Sequence, residues 1–269
     1  MKFTRPRIDT RIRTSRLAFR LSVLISIWAV STVYSAHVGH GYAQDFSKGL
    51  EAYKRKQLDA AQAEFRPLAD AGQANAQYYM GIIHLQRSEI LKALAYFKLS
   101  AAQGTRSAQY NLGVIFAKGD GVSKDFEEAI KWYALAGEQG HPNAQFNLGV
   151  FYRDGLGTTV NGRKAVEWFT KAAENGNVFA QINLARIYTL GNVAPKDLSR
   201  AYMWLEITQH PFGRTRDTSN RAANARISKV RNSAVEAKIL LAEQMSPGDV
   251  ERAKMSAREW LQKIGRGGN

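Results

Sequence analysis

Short apolar stripes alternate with glycine-containing breaks along most of this chain, and each stripe has the spacing of an α-helix. In the stretch that begins at Asn143, apolar or small residues recur every three or four positions, and a second stripe of this kind runs from Ala165 to Ala173. Residues at such spacing lie on one face of a helix. The break at residues 154–157 contains two glycines, which adopt positive φ at little cost, and Gly176 follows the second stripe as a helix stop. The pattern therefore predicts two helices joined by a tight loop.

This helix pair recurs along the chain. The block that opens its first helix begins with an alanine followed by glutamine, at Ala76, Ala108, Ala144 and Ala180, in steps of 32, 36 and 36 residues. An aromatic landmark of the second helix repeats every 36 residues, starting at Tyr96. Self-similarity at a period of this length is typical of solenoids, in which each helix pair packs only on its neighbours. The sequence therefore predicts an all-α superhelix of helix pairs, an architecture that usually binds partners rather than catalysing reactions.

Two glycines stand inside predicted helices. Gly113 and Gly149 occupy equivalent positions of successive units, where glycine costs about 1 kcal/mol relative to alanine. Because the cost recurs at one position, we expect the missing Cβ to let the paired helix approach closely. The fourth unit has Ala185 at this position.

These landmarks together resemble the SEL-one-like repeat, a relative of the tetratricopeptide repeat with a longer loop between its helices. The resemblance rests on the A-Q-x-N-L-G block, the G-x-G loop, the A-x-x-W step and the closing glycine, and it covers residues 73–210. Residues 44–72 resemble the N-terminal helix pair of bacterial members. Residues 211–269 comprise a basic segment and a helix that resembles their closing helix. The unit from Asn75 lacks the G-x-G loop, and the tail after the fourth unit is not a further regular repeat.

The resemblance implies a protein–protein interaction scaffold whose first helices line a concave groove. In such solenoids the Leu and Tyr of the apolar stripe point into the core, so the residues between them point into the groove. The predicted groove residues are Tyr78, Ile82, Tyr110, Asn111, Val114, Phe146, Asn147, Val150, Arg153, Ile182, Asn183 and Arg186. The three asparagines either pair with the backbone of a bound peptide or hydrogen-bond between helices and hold the stack. The sequence leaves both alternatives open, along with the partner's identity and the oligomeric state.

The first 43 residues have the composition of a secretory signal peptide. They carry seven Lys or Arg residues against one acid, followed by an apolar run over residues 21–33 and small residues that end at Ala43. This order predicts cleavage after Ala43, with Ala36 as a second candidate site. The alternative is an uncleaved inner-membrane anchor, although a spanning helix needs about 20 apolar residues. The sequence thus predicts a periplasmic or secreted protein.

Positive charge is concentrated at both ends of the chain. The net charge is +15, of which residues 1–43 and residues 211–269 each supply +6. Within the second segment, six cationic residues form a cluster whose sequence range contains a single acidic residue, Asp217. Its members are Arg214, Arg216, Arg221, Arg226, Lys229 and Arg231. Such a cluster suits anionic lipid, envelope polysaccharide or an acidic partner, and the alternative is a solvated helix face. Nucleic acid is not expected, because an exported protein rarely meets it and the cluster lacks interleaved aromatic residues.

The last predicted helix has a clear start. Ser246 stands at the N-cap position, Pro247 at the first helical position and Asp249 three residues after the cap, which is a favoured arrangement. Apolar residues then share one face from Val250 to Ile264. Because the last unit of a solenoid exposes apolar surface, we expect this helix to cover it.

The chain carries little that favours catalysis. It has no cysteine, which excludes a thiol nucleophile, a cysteine metal site and membership of the disulfide-rich secreted branch of these repeats. The histidines considered, His84, His141 and His210, stand without a paired carboxylate or nucleophile at useful spacing. His141 is expected to be a surface residue of the turn between units, and His84 is expected to pack near Tyr96. The sequence predicts no catalytic residue, no cofactor and no metal.

Three functions fit these patterns. The first is an exported scaffold or adaptor that binds a protein partner in its groove. The second is an accessory protein that binds anionic envelope polymer or lipid through residues 214–231. The third is a periplasmic negative regulator of a sensor kinase that controls exopolysaccharide production. Some exported relatives resemble such regulators, although no residue of this chain singles the function out.

Overall fold

The computed structural model describes residues 46–210 and 221–266. The described residues are helical apart from short connections, and the chain divides into two compact units, one up to Ala76 and one from Gln77 onward. The predicted signal peptide, Arg214 and Arg216 lie outside the described residues. The helices are α1 (46–54), α2 (Leu58–Asp70), α3 (Ala74–Gln86), α4 (Ile90–Ala102), α5 (Arg106–Lys118), α6 (Phe126–Glu138), α7 (Pro142–Asp154), α8 (Gly162–Glu174), α9 (Val178–Leu190), α10 (Leu198–Ile207), α11 (Arg221–Ala242) and α12 (Pro247–Arg266).

In the first unit, α1 packs closely against α2. Phe65 is fully buried, and its ring centroid lies 5.4 Å from that of Phe46. A Cβ built on Gly49 would lie 2.7 Å from the Phe65 ring. Gly49 therefore allows α1 to approach the aromatic side chain of α2.

The second unit is a stack of helix pairs, in which each of α5 to α9 packs on the helices before and after it in the chain. First helices contribute buried leucines to the core, and second helices contribute buried aromatic side chains. These residues are Leu112, Leu148, Leu184, Phe97, Tyr133 and Phe169. The predicted all-α solenoid of helix pairs is therefore confirmed.

The helical glycines fit against aromatic rings of the paired helices. A Cβ at Gly149 would lie 2.5 Å from the Phe169 ring, and one at Gly113 would lie 2.5 Å from the Tyr133 ring. The close approach that the sequence predicted is thus confirmed. In the fourth pair, the core cluster contains Ala185 together with a leucine where the earlier pairs have an aromatic ring. A side chain without a planar ring leaves space for the extra methyl group.

Local capping explains where the helices begin and end. Gly155 ends α7 in the left-handed conformation with φ 71°, and Asn161 begins α8 by accepting a hydrogen bond from the Lys164 amide at 3.0 Å. An equivalent glycine ends α5 and α9, and an equivalent side-chain cap begins α6, α9 and α10. The pair formed by α3 and α4 has a shorter connection, in which Ser88 takes the positive φ of 60°.

A buried glutamine connects each of the helix pairs that begin with α5, α7 and α9 to the preceding pair. Gln145 of α7 is 3% exposed; its Nε2 donates to the Gly137 carbonyl of α6 at 2.8 Å, and its Oε1 accepts from Asn175 Nδ2 at 3.0 Å. Gln109 repeats this arrangement with the Ala101 carbonyl at 3.3 Å and Gln139 Nε2 at 2.7 Å. The glutamine of the Ala-Gln landmark is therefore a structural hydrogen-bonding residue, a role that the sequence analysis did not assign.

The last two helices are fixed against α10. Lys238 of α11 forms an ion pair with Glu206 of α10 at 2.8 Å, and the Trp260 ring of α12 lies 5.2 Å from the Trp204 ring of α10. Ser246 caps α12 as predicted, because its Oγ accepts from the Asp249 amide at 3.1 Å. The apolar face of α12 thus covers the fourth helix pair.

Candidate binding surface

The first helices present the same kind of surface in each of four pairs. At two equivalent positions, α3, α5, α7 and α9 carry side chains that rest on the core with one side and remain accessible on the other. We call this set the first-helix face. Its members are Tyr78, Tyr110, Phe146 and Ile182 at the first position, and Ile82, Val114, Val150 and Arg186 at the second. Seven of the eight are half-buried and Arg186 is exposed.

The aromatic members also contribute to the core. The Phe146 ring centroid lies 5.8 Å from that of Phe169 and 6.2 Å from that of Phe179. The Tyr110 ring lies 6.0 Å from that of Tyr133. Truncating these rings would therefore reduce stability as well as change the surface, whereas Val114 and Val150 offer smaller side chains to vary.

The two histidines with aromatic neighbours differ from each other. His84 stacks on Tyr96 at 5.4 Å, as predicted. The prediction that it has no paired carboxylate was wrong, because its Nδ1 lies 2.8 Å from Glu89 Oε2. The prediction that His141 is a surface turn residue is confirmed for its place in the turn and wrong for its exposure, because the side chain is half-buried. His141 begins α7, where its Nδ1 accepts from the Ala144 amide at 3.3 Å, and its ring stacks on Tyr110 at 4.4 Å. Burial, with a smaller contribution from the positive charge of Arg106, lowers the pKa of His141 to about 4.

The asparagine column is used within the protein. Asn183 Oδ1 accepts from Arg153 Nη1 at 2.7 Å, which joins α7 to α9. Asn111 Nδ2, in contrast, donates to the Ser107 carbonyl of its own helix at 2.9 Å. Of the two alternatives left open, the structure thus contains the bond between helices for Asn183, and a bond within one helix for Asn111.

Arg153 is bonded to its sequence neighbour as well. Its Nε and Nη2 donate to the two carboxylate oxygens of Asp154 at 2.6 and 2.7 Å. This pairing lowers the pKa of Asp154, and the charge of Arg186 lowers it further to a smaller degree. Arg153 would have to give up internal hydrogen bonds to bind a partner, so it is a weaker candidate contact than the sequence suggested.

A cavity of about 800 Å³ lies between α9 and α11. It brings together two sets of residues that the sequence predicted separately, because Ile182 and Arg186 belong to the first-helix face and Arg226 and Lys229 to the cationic cluster. We call it the α9–α11 cavity. Its apolar lining includes Ile182, Ala185, Leu190, Val230, Leu240 and Leu241.

The predicted cationic cluster reaches this cavity only in part. Arg226 and Lys229 line it, whereas Arg231 does not. The backbone carbonyl of Arg231 accepts from Gln209 Nε2 at 3.3 Å, and its side-chain Nε is buried without a hydrogen-bond partner among the described residues. The side chain of Arg221 lies outside the description. The cations that can be assigned to a binding surface are therefore Arg226 and Lys229, together with Arg186.

Two further properties concern the described ranges alone. Residues 46–210 and 221–266 contain no group of His, Asp and Glu side chains arranged to hold a metal ion. No helix within those same ranges is long and apolar enough to cross a membrane.

Stacked helix pairs with an accessible first-helix face define an α-solenoid of the kind that binds other proteins. The Sel1 repeat family model matches more than half of the chain, over residues 74–105, 106–141, 142–177, 178–207 and 235–269. The chain belongs to the Sel1 repeat family. Members of this family are typically non-catalytic scaffolds for protein–protein interaction.

The fifth match corrects the sequence analysis, which found no further regular repeat after the fourth unit. Residues 235–269 form a fifth Sel1 repeat, whose first helix is the C-terminal part of α11 and whose second helix is α12. The closing helix therefore covers the fourth pair as a member of a repeat.

Two solved structures resemble this chain. One is a Sel1 repeat protein from Oxalobacter formigenes, with 32% sequence identity and a TM-score of 0.56 over 60% of this chain. The other is a protective antigen of uropathogenic Escherichia coli with an SLR fold, with 26% identity and a TM-score of 0.41 over 76% of this chain. The chain spans 66% and 49% of their respective lengths. A search among curated proteins found no match.

Proposed function

We propose that the chain is an exported scaffold that holds a protein partner on its first-helix face. The observation that carries the proposal is the repeat-spaced line of half-buried apolar side chains in α3, α5, α7 and α9, which leads to the α9–α11 cavity. Membership of the Sel1 repeat family supports a protein as the partner. The export part rests on the composition of residues 1–43.

Partial burial favours binding for a physical reason. A side chain that already rests on the core loses little conformational entropy when a partner covers its accessible side. Aromatic side chains such as Tyr78 and Tyr110 contribute much of the energy at protein interfaces. A cavity of about 800 Å³ is also within the usual range of binding pockets, about 300–1,000 Å³.

The alternative of a surface for anionic polymer has less support. Such a surface needs a continuous row of exposed cations, whereas Arg226 and Lys229 border an apolar cavity and Arg231 is half-buried. Regulation of a sensor kinase is a finer form of the proposed function, and the identity of the captured partner would decide it.

Site-specific photo-crosslinking in intact cells tests the proposal. A photoreactive amino acid at Val150 of the first-helix face should crosslink a partner polypeptide. The matched control is Leu135 of α6, which is 45% exposed and lies on a second helix outside this face. A partner crosslinked from Leu135 but not from Val150 would contradict the proposed surface.

A further inference from the structure

The walls of the α9–α11 cavity are two helix faces. Its lining residues on α11 run from Arg226 to Leu241 at steps of three or four residues, and those on α9 run from Ile182 to Leu190 in the same way. Residues at this spacing keep to one side of a helix. At 1.5 Å per residue the α11 wall is about 22 Å long.

These walls leave space because several of their residues are small. Ala185, Ser233 and Ala237 line the cavity between larger apolar side chains. Leu190 and Leu240, which also line it, are each 60% exposed. Large aliphatic side chains grouped in this way on a surface are typical of an interaction site.

The shape of the cavity favours a helical segment over the other common forms of bound peptide. Strand addition requires an exposed sheet edge, and the described residues contain no strand. Polyproline recognition requires an aromatic-lined groove, and none of the residues lining this cavity is aromatic. Two apolar helix faces suit the mode in which an amphipathic helix, about 10 Å wide, lies in an apolar groove.

The charge of the lining residues indicates the sign of the charge on the occupant. Arg186, Arg226 and Lys229 line the cavity, and no Asp or Glu does. Arg226 lies 5.1 Å from the centre of the Phe179 ring, a contact that leaves its charge in place. None of the three forms an ion pair within the described residues. Complementary charge on a partner would therefore be acidic.

The same charges oppose two occupants that the chain itself could supply. Residues 1–43 carry a net charge of +6, and a second copy of the chain carries +15, or +9 without those residues. Either would bring positive charge toward the three cations. Arg226 and Lys229 also belong to the first half of α11, whereas Leu240 and Leu241 belong to its last turns. A complementary segment would therefore be acidic toward one end and apolar toward the other.

We infer that the α9–α11 cavity is a docking site for an amphipathic α-helix with acidic residues toward one end. The helix belongs to the protein partner, so this inference rests on the proposed function. It adds to that function the form and the charge of the segment that the partner presents.

Crosslinking from one side chain and its sequence neighbour tests the site. A photoreactive amino acid at Leu240, in the full chain in intact cells, should crosslink the partner, and mass spectrometry should identify the attached segment. Ile239 is the matched control, because it is 56% exposed but does not line the cavity. The expected segment has apolar residues at steps of three and four and an acidic end, and Ile239 should give little product.

A charge reversal tests the electrostatic part. Lys229→Glu should lower the yield of the Leu240 crosslink about tenfold, whereas Lys98→Glu on the exposed side of α4 should leave it unchanged. An unchanged yield in Lys229→Glu would overturn the inference.

The other outcomes are equally decisive. A Leu240 crosslink to lipid, to a second copy, to residues 1–43 or to a basic or extended segment would overturn the inference. If Val150 crosslinks a partner and Leu240 gives no product, the inference fails and the proposed function stands. If neither position gives a product, both fail.

Discussion

The contact between Gly149 and Phe169 predicts that a single added methyl group destabilises the protein. In Gly149→Ala the new Cβ would lie 2.5, 2.6 and 2.8 Å from three atoms of the Phe169 ring. Favourable contacts between carbon atoms lie at about 3.5–4.0 Å. Because Phe169 is fully buried, its ring has little room to move away. Overpacking of this kind costs about 1–3 kcal/mol. After about 1 kcal/mol of gained helix propensity, we expect a net loss of up to about 2 kcal/mol.

The fourth helix pair supplies the matched second change. Ala185 and Leu205 occupy the positions equivalent to Gly149 and Phe169, and both belong to one core cluster. Phe169→Leu alone should cost about 1–1.5 kcal/mol, because the shape of the side chain changes within a packed core. In the double variant the added methyl group no longer meets a ring. We therefore expect it to be more stable than the sum of the single changes predicts, by about 2 kcal/mol.

Urea denaturation followed by far-UV circular dichroism measures this coupling on four proteins under one condition. Because repeat proteins can unfold in more than one step, the midpoints and the slopes should both be compared. Single changes that add without coupling would refute the explanation that Gly149 makes room for the Phe169 ring.

Three other predictions concern a half-buried histidine, a buried glutamine and export. The pKa of His141 is lowered to about 4, whereas in the unfolded state it is about 6.5. As the pH falls between these two values, the unfolded state binds the proton first, so the free energy of unfolding should decrease by up to about 3 kcal/mol. His141→Asn, which copies the Asn177 cap at 2.9 Å in the next repeat, should flatten this slope in melting curves at several pH values; an unchanged slope would contradict the assignment. Gln145→Leu should cost about 2 kcal/mol in urea denaturation because it leaves buried polar groups unpaired, and a loss below about 0.5 kcal/mol would show that these bonds are dispensable. If the chain is exported and cleaved as predicted, the mass of the protein isolated from the envelope fraction should correspond to a chain that begins at Gln44. A full-length species held in the membrane would instead favour the uncleaved anchor.

The repeat architecture could be predicted because its determinants are local and recur. The helix pair around Gly149 is marked by a stripe of apolar residues, a glycine loop and a closing glycine, and each of these acts within its own unit. The glycine at position 149 also indicated a close helix contact, although only the structure identifies the Phe169 ring as the neighbour. Gln145 carried a usable signal as well, because a glutamine recurs at this position among apolar residues.

Other features depend on contacts between repeats that the sequence does not mark. His141 stands in a turn, and its burial results from stacking on Tyr110 of the preceding first helix. The fifth repeat lacks a glycine boundary at its start, because α11 runs without interruption from Arg221 to Ala242. The α9–α11 cavity depends on the distance between helices that are far apart in sequence. For this reason the groove residues and the cationic residues were predicted as separate sites.

The central claim is that the first-helix face binds the partner, and paired affinity measurements test it most directly. Once crosslinking has identified the partner, its dissociation constant should be measured by titration calorimetry with Val150→Lys and with Leu135→Lys, using melting curves to confirm that both variants are folded. The account predicts that Val150→Lys weakens binding more than about tenfold, because it places a charge within an apolar contact, and that Leu135→Lys leaves the affinity unchanged. Equal affinities for the two variants, or a loss confined to Leu135→Lys, would contradict it.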